Sequence, residues 1–321
     1  MSTLKNKKVR ILVITLVMVL VFAAGCQNSQ PAAPTPEPAP PVTTPAPTPE
    51  LEATTPAPEP DVTTPAEITG DYTNPVVPEG YTHVEGGWND GFVIQDEAGN
   101  QFVWVPVGSL KANGSFGGSD FDSQFGRRNF ANMDWSLWSE PLDEGIQKQQ
   151  ESVNNYGGFY IARYEISFGY NINPSSPFSV KQSFPIGEIS WQQAVDYGQQ
   201  LGQSDISSHL LYGSEFDSCI EWFLETGTSS ALLFEDSRSI GNYSDEPAPT
   251  GFYSEFQVNR IYDMAGNYAE WTQEIKTGKD STFVARGGSY GLVNMTYIAV
   301  RGSYPSEVTD GLGLRVALYI P

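Results

Sequence analysis

Cysteine is nearly missing from this chain: Cys26 and Cys219 are the only two. Cys26 sits at the end of an apolar leader, so the folded part keeps one thiol and has no intramolecular disulfide to staple it. Its stability has to come from a core, or from bound metal. Histidine is as scarce. His83 and His209 are too few and too far apart in sequence to build a zinc or non-haem iron triad, and each reads as a surface or satisfied core residue. Positive charge is the third shortage, with 17 Lys and Arg against 38 Asp and Glu and a net charge of −21. A field of that sign repels phosphate backbones, which excludes nucleic acid as a partner and suits divalent cations better. A phosphate-cradling loop is excluded as well: Gly287-Gly288 lacks the flanking spacing of a P-loop, and no serine stands in a nucleophile elbow.

What is present begins with a leader. Lys5, Lys7, Lys8 and Arg10 precede an uncharged run from Ile11 to Phe22, followed by Ala23-Ala24-Gly25-Cys26. That is the order of a secretory signal, too short to span a membrane, and it implies export. A Cys directly after small residues also resembles a bacterial lipobox, which would make Cys26 a lipidated first residue after removal of 1–25. The plainer alternative is the last residue of an ordinary signal. From 26 to 75 the composition turns to Pro, Thr, Ala and Glu, with Thr-Thr-Pro-Ala recurring at Thr43, Thr54 and Thr63. Such a segment buries too little apolar surface to offset its ordering entropy, so a disordered tether is expected, reaching on the order of 150 Å in polyproline geometry. The expected location is the outer side of a bacterial membrane, held by lipid on Cys26.

Residues 76–321 fit one domain of mixed α+β class. Apolar runs bounded by turns predict strands at 91–96, 101–107, 158–166, 283–286 and 314–320. Two helices are expected. Ser190 and Gln193 form a capping box ahead of Trp191, Ala194, Val195 and Leu201. A cap at Ser214 precedes Phe216, Cys219, Ile220, Phe223 and Leu224 at helical spacing. Cys219 falls on that apolar stripe and reads as a core residue rather than a reactive thiol.

The most informative segment is Tyr262-Asp263-Met264-Ala265-Gly266-Asn267-Tyr268-Ala269-Glu270-Trp271-Thr272, followed by Arg286-Gly287-Gly288-Ser289-Tyr290. With Gly157-Gly158-Phe159-Tyr160-Ile161-Ala162-Arg163-Tyr164-Glu165, Ile189-Ser190-Trp191 and Gly313-Leu314-Arg315, it resembles the formylglycine-generating enzymes, or sulfatase-modifying factors. The resemblance covers most of the folded part and is strongest from Asn259 onward. It implies that family's irregular single α+β domain, related to C-type lectins. It also implies calcium held by a side-chain oxygen of Asp263, the backbone carbonyls of Gly266 and Tyr268, and the side chain of Glu270. Carboxylates and inward carbonyls are the hard oxygens calcium takes. The alternative is that Glu270 pairs with Arg286 or Arg315 while Asp263 only forms a turn. A further calcium position of the family would begin near Asn242, where the connection is shortened.

Members of this family that act as enzymes oxidise a substrate cysteine with two cysteines of their own, placed just after the Gly-Gly-Ser run. Leu292 and Tyr297 stand there in this chain. A copper-thiolate centre needs sulfur, so copper is not expected. The same loop carries Tyr290, Asn294, Tyr297, Arg301 and Tyr304, a composition suited to recognition, although irregular folds also fill their cores with aromatics. The leading expectation is a surface-anchored lipoprotein whose non-catalytic domain recognises a protein, peptide or glycan. The rivals are an oxidoreductase that makes formylglycine in sulfatases and a structural cell-envelope protein.

Overall fold

The computed structural model describes residues 70–107, 125–128, 130, 135–168, 176–278, 282–307 and 309–321. The leader, Cys26 and nearly all of the expected tether lie outside them. The described chain already packs before the boundary expected at residue 75: the Gly70 amide donates to Asn154 O, and Tyr72 O accepts from Trp104 Nε1.

Two sheets organise the domain. The first contains β1 (Tyr81–Glu85), β2 (Val93–Asp96), β3 (Gln101–Pro106), β5 (Gly158–Ala162), β8 (Ser207–Leu210) and β15 (Val316–Tyr319), in the order β1-β2-β3-β5-β15-β8 and antiparallel throughout. The second contains β11 (Ala269–Lys276), β12 (Thr282–Arg286), β13 (Arg301–Tyr304) and β14 (Leu312–Leu314), in the order β13-β12-β11-β14, with the short β4 (Trp138–Ser139) also on β11. Two small ladders, β6 (Ser167–Phe168) with β7 (Pro177–Phe178) and β9 (Gln257–Val258) with β10 (Ile261–Tyr262), complete the strands.

The helices are α1 (Glu144–Tyr156), α2 (Trp191–Gly198), α3 (Gly213–Glu225) and the short α4 (Ser230–Phe234). The capping box expected at Ser190 and Gln193 is present. The cap of α3 is not Ser214 but Tyr212, whose amide donates to Glu215 Oε2 at 2.8 Å. Ser214 is the second residue of the helix, where its hydroxyl donates to Glu140 instead. Helix α1 carries no periodic apolar signal because Ile146 and Val153 are its only fully buried apolar residues, with Tyr156 packing at its end; Gln149 and Ser152 complete its buried face through hydrogen bonds.

The strand expected over 314–320 breaks at one residue. Leu312–Leu314 belongs to one sheet, Val316–Tyr319 to the other, and Arg315 lies between them. Its Nε donates to Glu270 Oε1 at 2.8 Å, Nη1 to Ala162 O at 2.9 Å and Nη2 to Tyr262 O at 2.8 Å. The side chain is wholly buried, and so is Glu270. Of the two arginines weighed as partners for Glu270, Arg315 forms the ion pair, and it does so through Oε1 alone.

Breaking a buried pair strands a charge away from water and costs about 3–5 kcal/mol, whereas an exposed pair contributes about 1 kcal/mol or less. Arg315→Met is therefore expected to lower the unfolding free energy by about 3–5 kcal/mol. Arg260→Met, which removes partly exposed bridges to Glu85 and Asp90, is expected to cost less than about 1 kcal/mol. Denaturant melts of both variants check this; comparable losses would refute the assignment.

Candidate functional site

The turn between β10 and β11 brings the expected metal residues together. Asp263 and Asn267 hold left-handed backbone, with φ of 55° and 60°, a conformation that Asp and Asn adopt at low cost. Asp263 Oδ2 accepts from the Gly251 amide at 2.7 Å and Thr250 Oγ1 at 3.2 Å. Asn267 is fully buried. Its Nδ2 donates to Glu165 Oε2 at 2.5 Å, its Oδ1 accepts from the Ala248 amide at 2.9 Å, and the Tyr268 amide donates to Glu165 Oε1 at 3.0 Å. Residue-by-residue reading missed Asn267 and Glu165 as the pair that ties this turn to the first sheet; the Gly-Asn turn was the visible signal.

Three buried carboxylates, Glu165, Asp263 and Glu270, thus lie near Arg315, which pairs with Glu270 alone among them; Arg286 also acts on Glu270. Burial raises all three above their ordinary range, Glu165 strongly and Asp263 to about 6. Negative charge on each neighbour adds to the rise at Glu165. Glu270 Oε2 is buried and has no hydrogen-bond partner among the described residues. An oxygen without a donor and a cluster short of positive charge fit a hard cation. Among the described residues no three His, Cys, Asp or Glu side chains converge on a metal position. The expected set needs two such side chains, the carbonyls of Gly266 and Tyr268 providing the rest. At the shortened second position, Asn242 Oδ1 is taken by the amide and hydroxyl of Ser244.

Beyond β12 the chain enters the loop expected to face a ligand. Gly287 and Gly288 have φ of 85° and 71°, so the pair makes the left-handed exit that a side chain would strain. Tyr243 Oη donates to Gly287 O, and the Gly291 amide to Ser244 O. Tyr290 is half-buried, set edge-on to Tyr268 and donating to Asp310. Leu292 is half-buried. Val293, Asn294 and Met295 form the exposed tip, Val293 at 84% and Met295 at 52%. Tyr297 turns back against the core cluster around α3.

Two of the expected ligand contacts belong elsewhere. Arg301 is buried in an ion network, with Nη2 on Asp217 Oδ2 at 2.5 Å and Nε on Glu274 Oε1 at 2.9 Å. It supports the loop from below and does not face outward. Tyr304 is half-buried and stands edge-on to Trp271, which makes it a core-packing residue. Arg286 joins the same network, donating to Asp217 Oδ1 at 2.7 Å and lying over the Phe216 ring. Burial works to raise the Asp217 carboxyl, but Arg286 and Arg301 together hold it below the ordinary range. At the rim, burial outweighs the Ser214 hydrogen bonds and pushes Glu140 up to about 7. Cys219 is buried on α3 with its thiol pushed well up by burial, which makes it unreactive.

These two sheets, wrapped around a buried helix and a turn of buried carboxylates, define an irregular α+β domain with short helices. The sulfatase-modifying factor enzyme 1-like domain family matches residues 95–320, and the chain belongs to that family. The family's formylglycine-generating-enzyme-like fold accounts for the architecture described above. A crystal structure of CarF aligns at 17% identity over 51% of this chain and 87% of its own, with a TM-score of 0.40. No curated protein matches the chain.

Glu140 supplies a pH test. A carboxyl that titrates higher in the folded state than in the unfolded state keeps its proton better when folded. Its contribution is therefore complete below about 4.5 and is lost as pH rises through about 7. One such group changes stability by at most about 1.4 kcal/mol per pH unit. Glu140→Gln is expected to flatten the fall in unfolding free energy between these limits, read from urea midpoints; an unchanged slope would remove Glu140 as its source.

Proposed function

We propose that this protein is an exported, lipid-anchored recognition module, in which a sulfatase-modifying-factor-like domain has kept the family architecture without its redox chemistry. The observation that carries this reading is the pair Leu292 and Tyr297 at the positions where the resemblance calls for cysteines. Neither side chain supplies sulfur to a metal. The remaining thiol of the folded part, Cys219, is buried on α3 under burial that disfavours its thiolate. Between Leu292 and Tyr297 the chain presents Val293, Asn294 and Met295 to solvent. An adaptable Met, an amide and an apolar side chain on an anchored loop suit contact with a protein, peptide or glycan.

The leader, Cys26 and the Pro/Thr tether support anchoring by lipid and display away from the membrane. Among the described residues no helix is long and apolar enough to cross a membrane. The strong negative charge speaks against nucleic acid as partner.

Two measurements test the reading. The purified chain, supplied with copper and oxygen and a Cys-containing sulfatase peptide, is expected to yield no aldehyde by mass spectrometry; aldehyde formed over repeated turnovers would favour the rival oxidoreductase. Calcium is proposed at Asp263, Gly266, Tyr268 and Glu270, supported by the unpartnered Glu270 Oε2 and the surplus of buried carboxylate. Added calcium is expected to raise the melting temperature and a chelator to reverse the rise, with no response in Asp263→Ala. The same response in that variant would remove the site.

A further inference from the structure

At the β8 edge of the six-stranded sheet, a cleft of about 430 Å³ opens between the first turn of α1, the end of α2, β8 and the last strand. It uses none of the residues of the carboxylate turn or of the loop after β12. Its lining includes Asp143, Gln199, His209, Tyr212, Gln273 and Tyr319, and holds no Lys or Arg.

His209 is the residue that calls for an occupant. Its Nε2 lies 2.8 Å from Glu215 Oε1, and Glu215 also accepts from Gln149 Nε2 at 2.6 Å and from the Tyr212 amide at 2.8 Å. With Nε2 committed to the Glu215 carboxyl, Nδ1 is the ring nitrogen still in need of a partner. That Nδ1 is buried, in a side chain 5% exposed, and has no partner among the described residues. Buried polar atoms in folded proteins are nearly always satisfied, by protein, water or ligand.

The surroundings are organised for a polar guest with a flat face. The Tyr319 ring stacks on His209 with centroids 3.9 Å apart, and Tyr212 Oη donates to Asp143 Oδ1 at 3.1 Å. Gln273 Nε2 is fixed by Leu210 O at 2.8 Å. Gly145 keeps the space over the tyrosines open, because a Cβ there would stand 2.3 Å from the Tyr212 hydroxyl and 2.8 Å from that of Tyr319.

The lining also selects among ligand classes. An anion meets the Asp143 carboxylate and no Lys or Arg. An apolar ligand leaves Nδ1 unanswered. An ammonium satisfies acceptors but offers none to the second amide hydrogen of Gln273, whose first goes to Leu210 O. A hydroxylated ring offers each hydroxyl as donor and acceptor at once and sets its C–H face against aromatic rings, and the volume lies within the usual range of small-molecule pockets. We propose that this cleft, built on His209, Asp143 and Tyr319, binds a neutral saccharide unit.

The full chain is to be titrated with methyl α-glucoside, methyl β-galactoside and N-acetylglucosamine by saturation-transfer NMR, with butylammonium and inorganic phosphate as charged controls. At least one saccharide is expected to show saturable transfer. Asp143→Asn and Gln199→Ala are expected to raise its Kd at least tenfold, at exposed positions where Asn still caps α1 and Ala suits a helix end. A Val293→Ser, Met295→Ser variant is expected to bind as the wild type does, which separates this cleft from the loop. The proposal falls if no saccharide saturates, if only a charged control binds, if both cleft variants bind unchanged, or if the loop variant alone loses binding.

Discussion

Arg315 sets the constraint on which the rest of this structure rests. The chain passes from one sheet to the other at this residue, and its guanidinium reaches Glu270 in the second sheet, Ala162 O in the first, and Tyr262 O at the head of the carboxylate turn. Burying a guanidinium is unfavourable unless its donors meet acceptors in good geometry. Here the acceptors come from three separate segments, so the cost is offset only when all three are in register. Apolar packing alone would tolerate a slide of one sheet over the other; a directional contact shared among three segments does not.

The same logic applies to α3. From Gly213 to Phe223 every residue is buried, although the helix carries Glu215, Asp217 and Glu221. Its apolar stripe, Phe216, Cys219, Ile220 and Phe223, enters the core cluster shared with β3 and β5. The acids meet separate partners: Glu215 takes His209 and Gln149, Asp217 takes Arg286 and Arg301, and Glu221 takes Arg128. Arg286 ends β12 and Arg301 opens β13, so the loop between them springs from two cations clamped on one carboxylate. The loop base is fixed by the helix, and its tip is left exposed.

Much of this was legible in the sequence wherever a single segment carried the signal. The alternating and continuous apolar runs located β2, β3, β5 and β12, and the Ser190 capping box marked the start of α2. The core position of Cys219 followed from its place on an apolar stripe. What stayed hidden depends on partners distant in sequence. Helix α1 has too few apolar residues to show a period, since its buried face is completed by Gln149 and Ser152. Arg301 and Tyr304 looked like surface residues because they sit in a loop-rich segment; their burial follows from Asp217, Glu274 and Trp271, none of which is near in sequence. The Gly-Asn turn was visible, but its tie to Glu165 spans 102 residues.

The way the loop is attached separates the contacts that hold it from the side chains it presents. Its base is held by the Gly291 amide on Ser244 O, the Ile298 amide on Ser237 Oγ and the Ala299 amide on Leu233 O, contacts made by its backbone whatever side chains it bears. Arg286 and Arg301 close it from below through the α3 network. None of these contacts involves the side chain at 292, and Tyr297 adds its ring to an existing core cluster. The backbone hydrogen bonds at the loop base are therefore compatible with other side chains at 292 and 297. In a scaffold built this way the fold is set by the backbone and the α3 network while the chemistry rests with the side chains of the tip, so membership of the family constrains the fold more tightly than the reaction.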